Sequence, residues 1–197
     1  MELQQHQKLI DLLSGLIFID NNDKDIIVEN FEPVSYQKRS VLVKHQGFAR
    51  YMYFINSGYL RTYYYTDGQE ITNQINCPLG FMTAFGSYIS GTPSQEQLEC
   101  ITDCDLLRIK KEKLESLFQL YPKWADAGRI INEHVAFYNS QRTRDLVSKT
   151  AEERYLQLMK QHPDFIHNIP LQYIASFIGV KPESLSRIRR SVAGQLI

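Results

Sequence analysis

The spacing of apolar residues changes twice along the chain. Up to about residue 31 it is helical. Leu3, Leu9, Ile10, Leu12 and Leu13 share one face, and Ile26, Ile27, Val28 and Phe31 form a second run after a polar Asn-Asn-Asp-Lys-Asp stretch. Two helices are predicted there, the second capped by Asn22 or Asp23. From Pro33 to about Ile109, short runs of Val, Tyr, Thr and Ile are split by Gly, Asn, Asp and Pro, which is strand composition. Asp67-Gly68 sits between two β-rich runs, Tyr59 to Ile75, and marks a tight hairpin because both central positions need φ > 0. Further breaks at Gly47, Asn56-Ser57-Gly58, Pro78-Leu79-Gly80 and Gly91-Thr92-Pro93 space the strands as in a small barrel or roll.

Helical spacing returns at Lys111. A short helix over 111–120 ends near Tyr121-Pro122, and a second runs from Lys123 to about Ser148 without a proline. At 1.5 Å per residue that second helix is roughly 39 Å long, more than a compact domain usually holds. Ala127, Ile131, His134 or Val135, Tyr138 and Leu146 lie near one stripe, and Ile130, Phe137 and Val147 widen it. Such a helix can rest on its own domain and meet a second copy of itself, with burial inside one chain as the alternative. Thr150-Ala151-Glu152-Glu153 is a capping box, so a further helix starts at Ala151 and ends before His162-Pro163. The resulting division is 1–122, 123–149 and 150–197. Charge follows it: residues 150–197 hold six Lys/Arg and four Asp/Glu, and the remainder holds 16 and 18.

Ile169 to Val192 carries the most information. A short helix, Leu171 to Ile178, is followed by the turn Gly179-Val180-Lys181 and a second helix from Pro182. Ala175 allows close helix approach, Gly179 takes a left-handed turn at low steric cost, and Pro182 fits a first helical position. Ile174, Ile178, Val180, Leu185 and Ile188 form one small core, the spacing of a helix-turn-helix. On the second helix Leu185, Ile188 and Val192 cluster on one side, while Glu183, Ser186, Arg187 and Arg190 point away. That outer face suits a DNA major groove, because arginine donates two parallel bonds to guanine and glutamate accepts from the cytosine amine. Flanking Lys181, Ser184 and Arg189 suit phosphates. With Pro182 and with Gln172 on the first helix, these nine residues are the candidate DNA contacts. Lys181 is a poor N-cap, where Ser or Thr is expected.

Composition narrows the classes further. An apolar fraction of 43% and a charged fraction of 22% exclude disordered and collagen-like chains. Twenty-two basic and 22 acidic residues give zero net charge, so general polyanion binding is excluded although a local basic patch is not. No apolar run approaches the ~18 residues needed to span a bilayer, and no secretory signal is visible, so a cytoplasmic protein without membrane contact is expected. Three cysteines, Cys77, Cys100 and Cys104, fit reduced thiols in that compartment.

Strands, long helix and helix-turn-helix, in that order, resemble the CRP/FNR family of bacterial transcription regulators. Residues 53–61 (YFINSGYLR) resemble its hydrophobic strand and glycine turn, Asp67-Gly68-Gln69-Glu70 its hairpin, and 179–188 (GVKPESLSRI) its recognition-helix signature. The resemblance implies an α+β fold: an N-terminal cyclic-nucleotide-binding-like β-roll that senses an effector, a dimerising long helix, and a C-terminal winged helix-turn-helix. By position, Glu183 and Arg187 correspond to base-contacting residues, and Pro182 replaces a third. The family's nucleotide cassette places a Gly-Glu pair before an Arg-Ser/Thr pair, the glutamate holding the ribose and the arginine the cyclic phosphate. Here Phe81 replaces the carboxylate and Ser94 the guanidinium. Without that charge-assisted bond, cyclic AMP is not expected to bind in the usual way. An effector of unknown identity would meet Gly80, Phe81, Met82, Phe85, Gly86, Ser87, Ser94 and Gln95, walls that suit an apolar or neutral ligand or a collapsed pocket. The sequence ends at Ile197, so little or no C-terminal wing is expected.

Other chemistry is thinly represented. Three thiols fall short of an iron-sulfur cluster, and Cys100 and Cys104 read as small buried hydrophobes, with an oxidation switch at Cys77 or Cys104 as the lesser reading. His6, His45, His134, His162 and His167 are scattered, so neither a metal site nor a catalytic set is expected. Inward tyrosines fill the roll, and outward ones offer a surface to another protein such as RNA polymerase. The expected function is a homodimeric, sequence-specific regulator binding double-stranded DNA, and not an enzyme. The competing reading is an effector-binding or protein-interaction module whose helix-turn-helix no longer touches DNA.

Overall fold

The computed structural model describes residues 2–195. Leu196 and Ile197, where any wing would begin, lie outside the described residues. Two helices open the chain, α1 (Glu2–Ser14) and α2 (Asn21–Asn30). The second is capped by Asp20, not by Asn22 or Asp23. Asp23 is instead the third residue of a capping box: its backbone N–H donates to Asp20 and its carboxylate accepts from the Asp20 N–H at 2.8 Å. The same buried carboxylate accepts from Lys123 at 2.5 Å and from the Trp124 indole at 3.3 Å, so tertiary partners fix the helix start.

Eight strands follow, with a short helix among them: β1 (Glu32–Tyr36), β2 (Val41–Val43), β3 (Tyr51–Ser57), β4 (Leu60–Thr66), β5 (Gln69–Asn76), β6 (Phe81–Met82), α3 (Phe85–Ser90), β7 (Gln97–Cys100) and β8 (Cys104–Lys110). They form two antiparallel four-stranded sheets, β1-β8-β3-β6 and β2-β7-β4-β5. Asp67 and Gly68 have φ of 52° and 74°, the left-handed pair expected of the β4–β5 hairpin. Strands β3 and β8 are apolar at consecutive positions because both of their faces are buried. Tyr53, Ile55 and Leu106 point into the roll with Val43, Leu60, Met82, Tyr88 and Leu98. Phe54, Leu107 and Ile109 point out, into a cluster with Leu9, Leu13, Ile27, Phe31 and Trp124. The N-terminal helices thus cover one outer face of the roll.

Helix α4 (Lys111–Leu120) leads into α5 (Pro122–Ser148), with Pro122 as its first residue. Its 27 residues carry two apolar stripes. Trp124, Ala127 and Ile131 face the N-terminal cluster, whereas Val135, Phe137, Tyr138, Leu146 and Val147 are exposed. The capping box at Thr150 is present and opens α6 (Ala151–Gln161). Then come α7 (Phe165–Asn168), α8 (Leu171–Phe177) and α9 (Pro182–Gln195). Among the described residues no helix is long and apolar enough to cross a membrane, and no group of side chains is placed to hold a metal ion.

Candidate nucleic-acid interface

The turn between α8 and α9 is a Schellman motif. Val180 N–H donates to Ala175 O at 2.9 Å and Gly179 N–H to Ser176 O at 3.0 Å, which closes the end of α8. Gly179 is the left-handed residue this needs, with φ of 74°. Ala175 and Leu185, both fully buried, hold the two helices together with Ile174, Phe177 and Ile178, while Val180 and Ile188 pack at the margin. Arg154 binds the unit to the long helix: it donates to Ile178 O at 2.9 Å and to Lys149 O at 2.5 Å, two carbonyls at helix C-termini. Arg142 of α5 donates to Phe177 O at 2.8 Å and stacks over the Phe177 ring. Neither arginine stood out in the sequence, because a helix-capping arginine carries no local signature.

With that bracing, α9 turns its polar face outward. Lys181, Pro182, Glu183, Arg187, Arg189 and Arg190 are exposed, and Ser184 and Ser186 are half-buried. The Ser186 hydroxyl donates back to Pro182 O at 3.0 Å, and Arg190 donates to Ser186 O at 3.4 Å, so both lean along their own helix. Among the described residues Glu183 and Arg187 have no hydrogen-bond or ion-pair partner. Gln172 and Pro182 lie on one crevice of about 410 Å³ with Lys38 and Arg39 from the β1–β2 turn. Eight of the nine candidates thus lie on α9 or just before it, and Gln172 joins them from the start of α8.

The candidate effector residues separate. Met82, Ser87 and Ser94 are buried, Phe81 and Gly80 half-buried, and Phe85, Gly86 and Gln95 exposed. Phe81 turns out of the roll and packs on Phe54, ring centroids 5.1 Å apart, beneath the N-terminal helices. The Ser87 hydroxyl donates to Thr92 O at 2.7 Å and accepts from Ala49 N, and that of Ser94 donates to Glu96 O at 2.7 Å. Tyr53, Met82, Tyr88 and Leu98 fill the interior. Burial pushes the Tyr88 hydroxyl up to about 12. Cys100 and Cys104 belong to the same core. Contact with Cys104, then burial, pushes the Cys100 thiol up, and burial raises Cys77.

This two-sheet roll, with its short cassette helix after β6, matches the cyclic nucleotide-binding domain model over residues 33–121. Over most of its length the chain shares its fold with solved structures that include a CRP/FNR-family regulator. It superposes on FixK2 from Bradyrhizobium japonicum with a TM-score of 0.73 at 19% identity, over 85% of this chain and 86% of that one. For a regulator from Eubacterium rectale assigned to the CRP/FNR family the values are 0.67 and 17%, over 90% and 85%. For CLP, the c-di-GMP responsive global regulator of Xanthomonas campestris, they are 0.64 and 18%, over 89% and 93%. No curated protein matches the sequence. Phe81 and Ser94, the residues expected at the cassette positions, carry neither a carboxylate nor a guanidinium.

Sequence reasoning missed one cluster on the domain. Along β4, Leu60 and Thr62 alternate with Arg61 and Tyr63, and Arg61 points away from the roll interior. It is nevertheless only 1% exposed. It donates to Glu99 Oε2 at 2.7 and 3.1 Å, to Glu70 Oε2 at 2.5 Å and to Thr72 Oγ1 at 3.2 Å. Burial works against its charge, but the bonds to Glu70 and Glu99 outweigh it and hold the guanidinium above its ordinary value. The available signal was a lone cation inside the run Leu-Arg-Thr-Tyr-Tyr-Tyr, opposite Glu99 in register.

Proposed function

We propose that the chain is a homodimeric regulator that binds double-stranded DNA in a sequence-specific way through α9. The observation that carries this reading is an arginine and a glutamate one turn apart on an exposed helical face, both without partners among the described residues and both braced by the buried Ala175 and Leu185. Glu183 and Arg187 read base edges. Lys181, Ser184 and Arg189 hold phosphates, and Gln172 approaches the backbone from α8. Residues 1–122 form the sensing unit, 123–149 the dimer helix and 150–197 the DNA-binding unit. The exposed Val135, Phe137, Tyr138, Leu146 and Val147 supply the seam between two copies. A two-fold pair of α9 helices then enters successive major grooves about 34 Å apart.

The filled roll interior and the local hydrogen bonds of Ser87 and Ser94 support a domain that does not take cyclic AMP in the usual way. Isothermal titration is expected to give no micromolar binding of cyclic AMP. The regulator reading is tested by selecting duplexes from a random library and measuring affinity at several salt concentrations. A near-palindromic site whose affinity falls with salt, log against log, is expected. A chain that enriches no duplex and shows no salt dependence would instead be an interaction module with a silent helix-turn-helix.

A further inference from the structure

We propose that Arg61 is a positioning residue: by clamping α8 to the outer face of the β4–β5 hairpin, it sets the angle at which the roll presents α9 to DNA. This rests on the DNA-binding reading above. The Arg61 guanidinium lies between two aromatic rings, Tyr63 of its own strand at 3.9 Å and Tyr173 of α8 at 3.5 Å. Its edges are taken by Glu99, Glu70 and Thr72, so its faces are left for the rings. A flat cation with in-plane donors suits this arrangement, whereas the point charge of a lysine does not.

A second bond lies three residues on. Strand β5 is at the edge of its sheet, and Thr62 pairs with Gln74 while Tyr63 pairs with Thr72, so Asn73 is an extra residue, a bulge. The Thr72 N–H beside the bulge donates to the Ser176 hydroxyl of α8 at 2.8 Å. A free edge donor, which otherwise invites strand pairing, is thereby committed to the helix-turn-helix. Ile75 of β5 and Ile101 complete the contact, because both belong to the core that contains Ile174, Ala175 and Leu185. The roll therefore grips α8, the helix that carries no base-reading residue, and leaves the α9 face open. Where α8 sits on β5 fixes where α9 sits relative to α5, and hence the separation of two recognition helices in a dimer.

Two full-length variants, Arg61→Lys and Tyr173→Leu, test this. The second keeps the buried ion pairs intact should the first fail to fold. Amide exchange of Thr72 is expected to rise at least about tenfold in each, within the range of ordinary coupling between sites. Amides of the β3–β8 ladder should stay as in wild type. On duplexes with the selected half-sites moved apart or together by one base pair, wild type should prefer one spacing, and the variants should lose about fivefold or more of that preference. General destabilisation lowers binding to every spacing alike and leaves the preference unchanged. Wild-type protection of Thr72 in Tyr173→Leu overturns the clamp whether or not the chain binds DNA. Faster exchange with an unchanged spacing profile overturns the positioning role. A wild-type chain that binds no duplex refutes the DNA-binding reading, and with it the positioning role, while the exchange arm still reports whether Arg61 holds α8.

Discussion

Replacing Arg187 by alanine is expected to weaken operator binding without weakening the fold. Arg187 is exposed and, among the described residues, has no partner in its own chain. Truncating it therefore leaves no buried group unpaired, and the stability change should stay within about 0.5 kcal/mol. A bidentate contact to guanine is worth about 1–3 kcal/mol of discrimination. A dimer on a near-palindrome loses it twice, about 2–6 kcal/mol, which corresponds to roughly 30-fold or more in Kd. The assay is fluorescence anisotropy on the selected duplex and on duplexes changed at one base pair per half-site, with thermal unfolding in parallel. The variant should bind more weakly, should stop distinguishing the changed position, and should keep the salt dependence of wild type. Lys181→Ala should do the opposite, leaving base preference intact and flattening the salt slope by about one for each phosphate that is no longer neutralised. Equal affinity of Arg187→Ala and wild type for the selected site, with both folded, would refute the base-reading role.

Three further outcomes concern the fold. Gly58→Ala should destabilise by about 2–5 kcal/mol in chemical denaturation, combining a left-handed backbone with overpacking, because φ is 89° and an added Cβ would lie 2.3 Å from Asp103 O and 2.6 Å from Cys104 Sγ. Asp23→Ala should lower stability by about 1.5–3 kcal/mol, since it removes the buried acceptor of Lys123 and Trp124; an unchanged denaturation midpoint would show that water replaces it. His162 stacks on Phe165 with ring centroids 4.6 Å apart, and burial holds its imidazole below the usual histidine value. The unfolded chain then takes up a proton first, so stability should be full above the ordinary value near 6.5 and fall as pH drops through it toward the folded one. The pH dependence of Tm in that window should be shallower in His162→Phe, and identical slopes would discount the group.

Much of this protein is legible without coordinates, because its signals are local. The Asp67-Gly68 hairpin, the capping box at Thr150, and the Gly179 turn between Ala175 and Pro182 each depend on a few neighbouring residues whose backbone preferences are strong. The outward set on α9 follows from one helical period, which places Glu183 and Arg187 opposite Leu185 and Ile188. The cap of α2 misled the local reading because Asp23 is claimed from 100 residues away by Lys123 and Trp124. The sequence pattern assigns Phe81 to the effector cassette, yet its ring turns to the outer face of the sheet, where it packs on Phe54 beneath the N-terminal helices. Tertiary structure alone decided the Arg61 clamp. Its members come from β4, β5, β7 and α8, and a cation in a strand tells nothing of what will cover it until sheet order and helix docking are set. Local conformational preference is written in adjacent residues; long-range electrostatics and packing are written only in which surfaces the folded chain brings together.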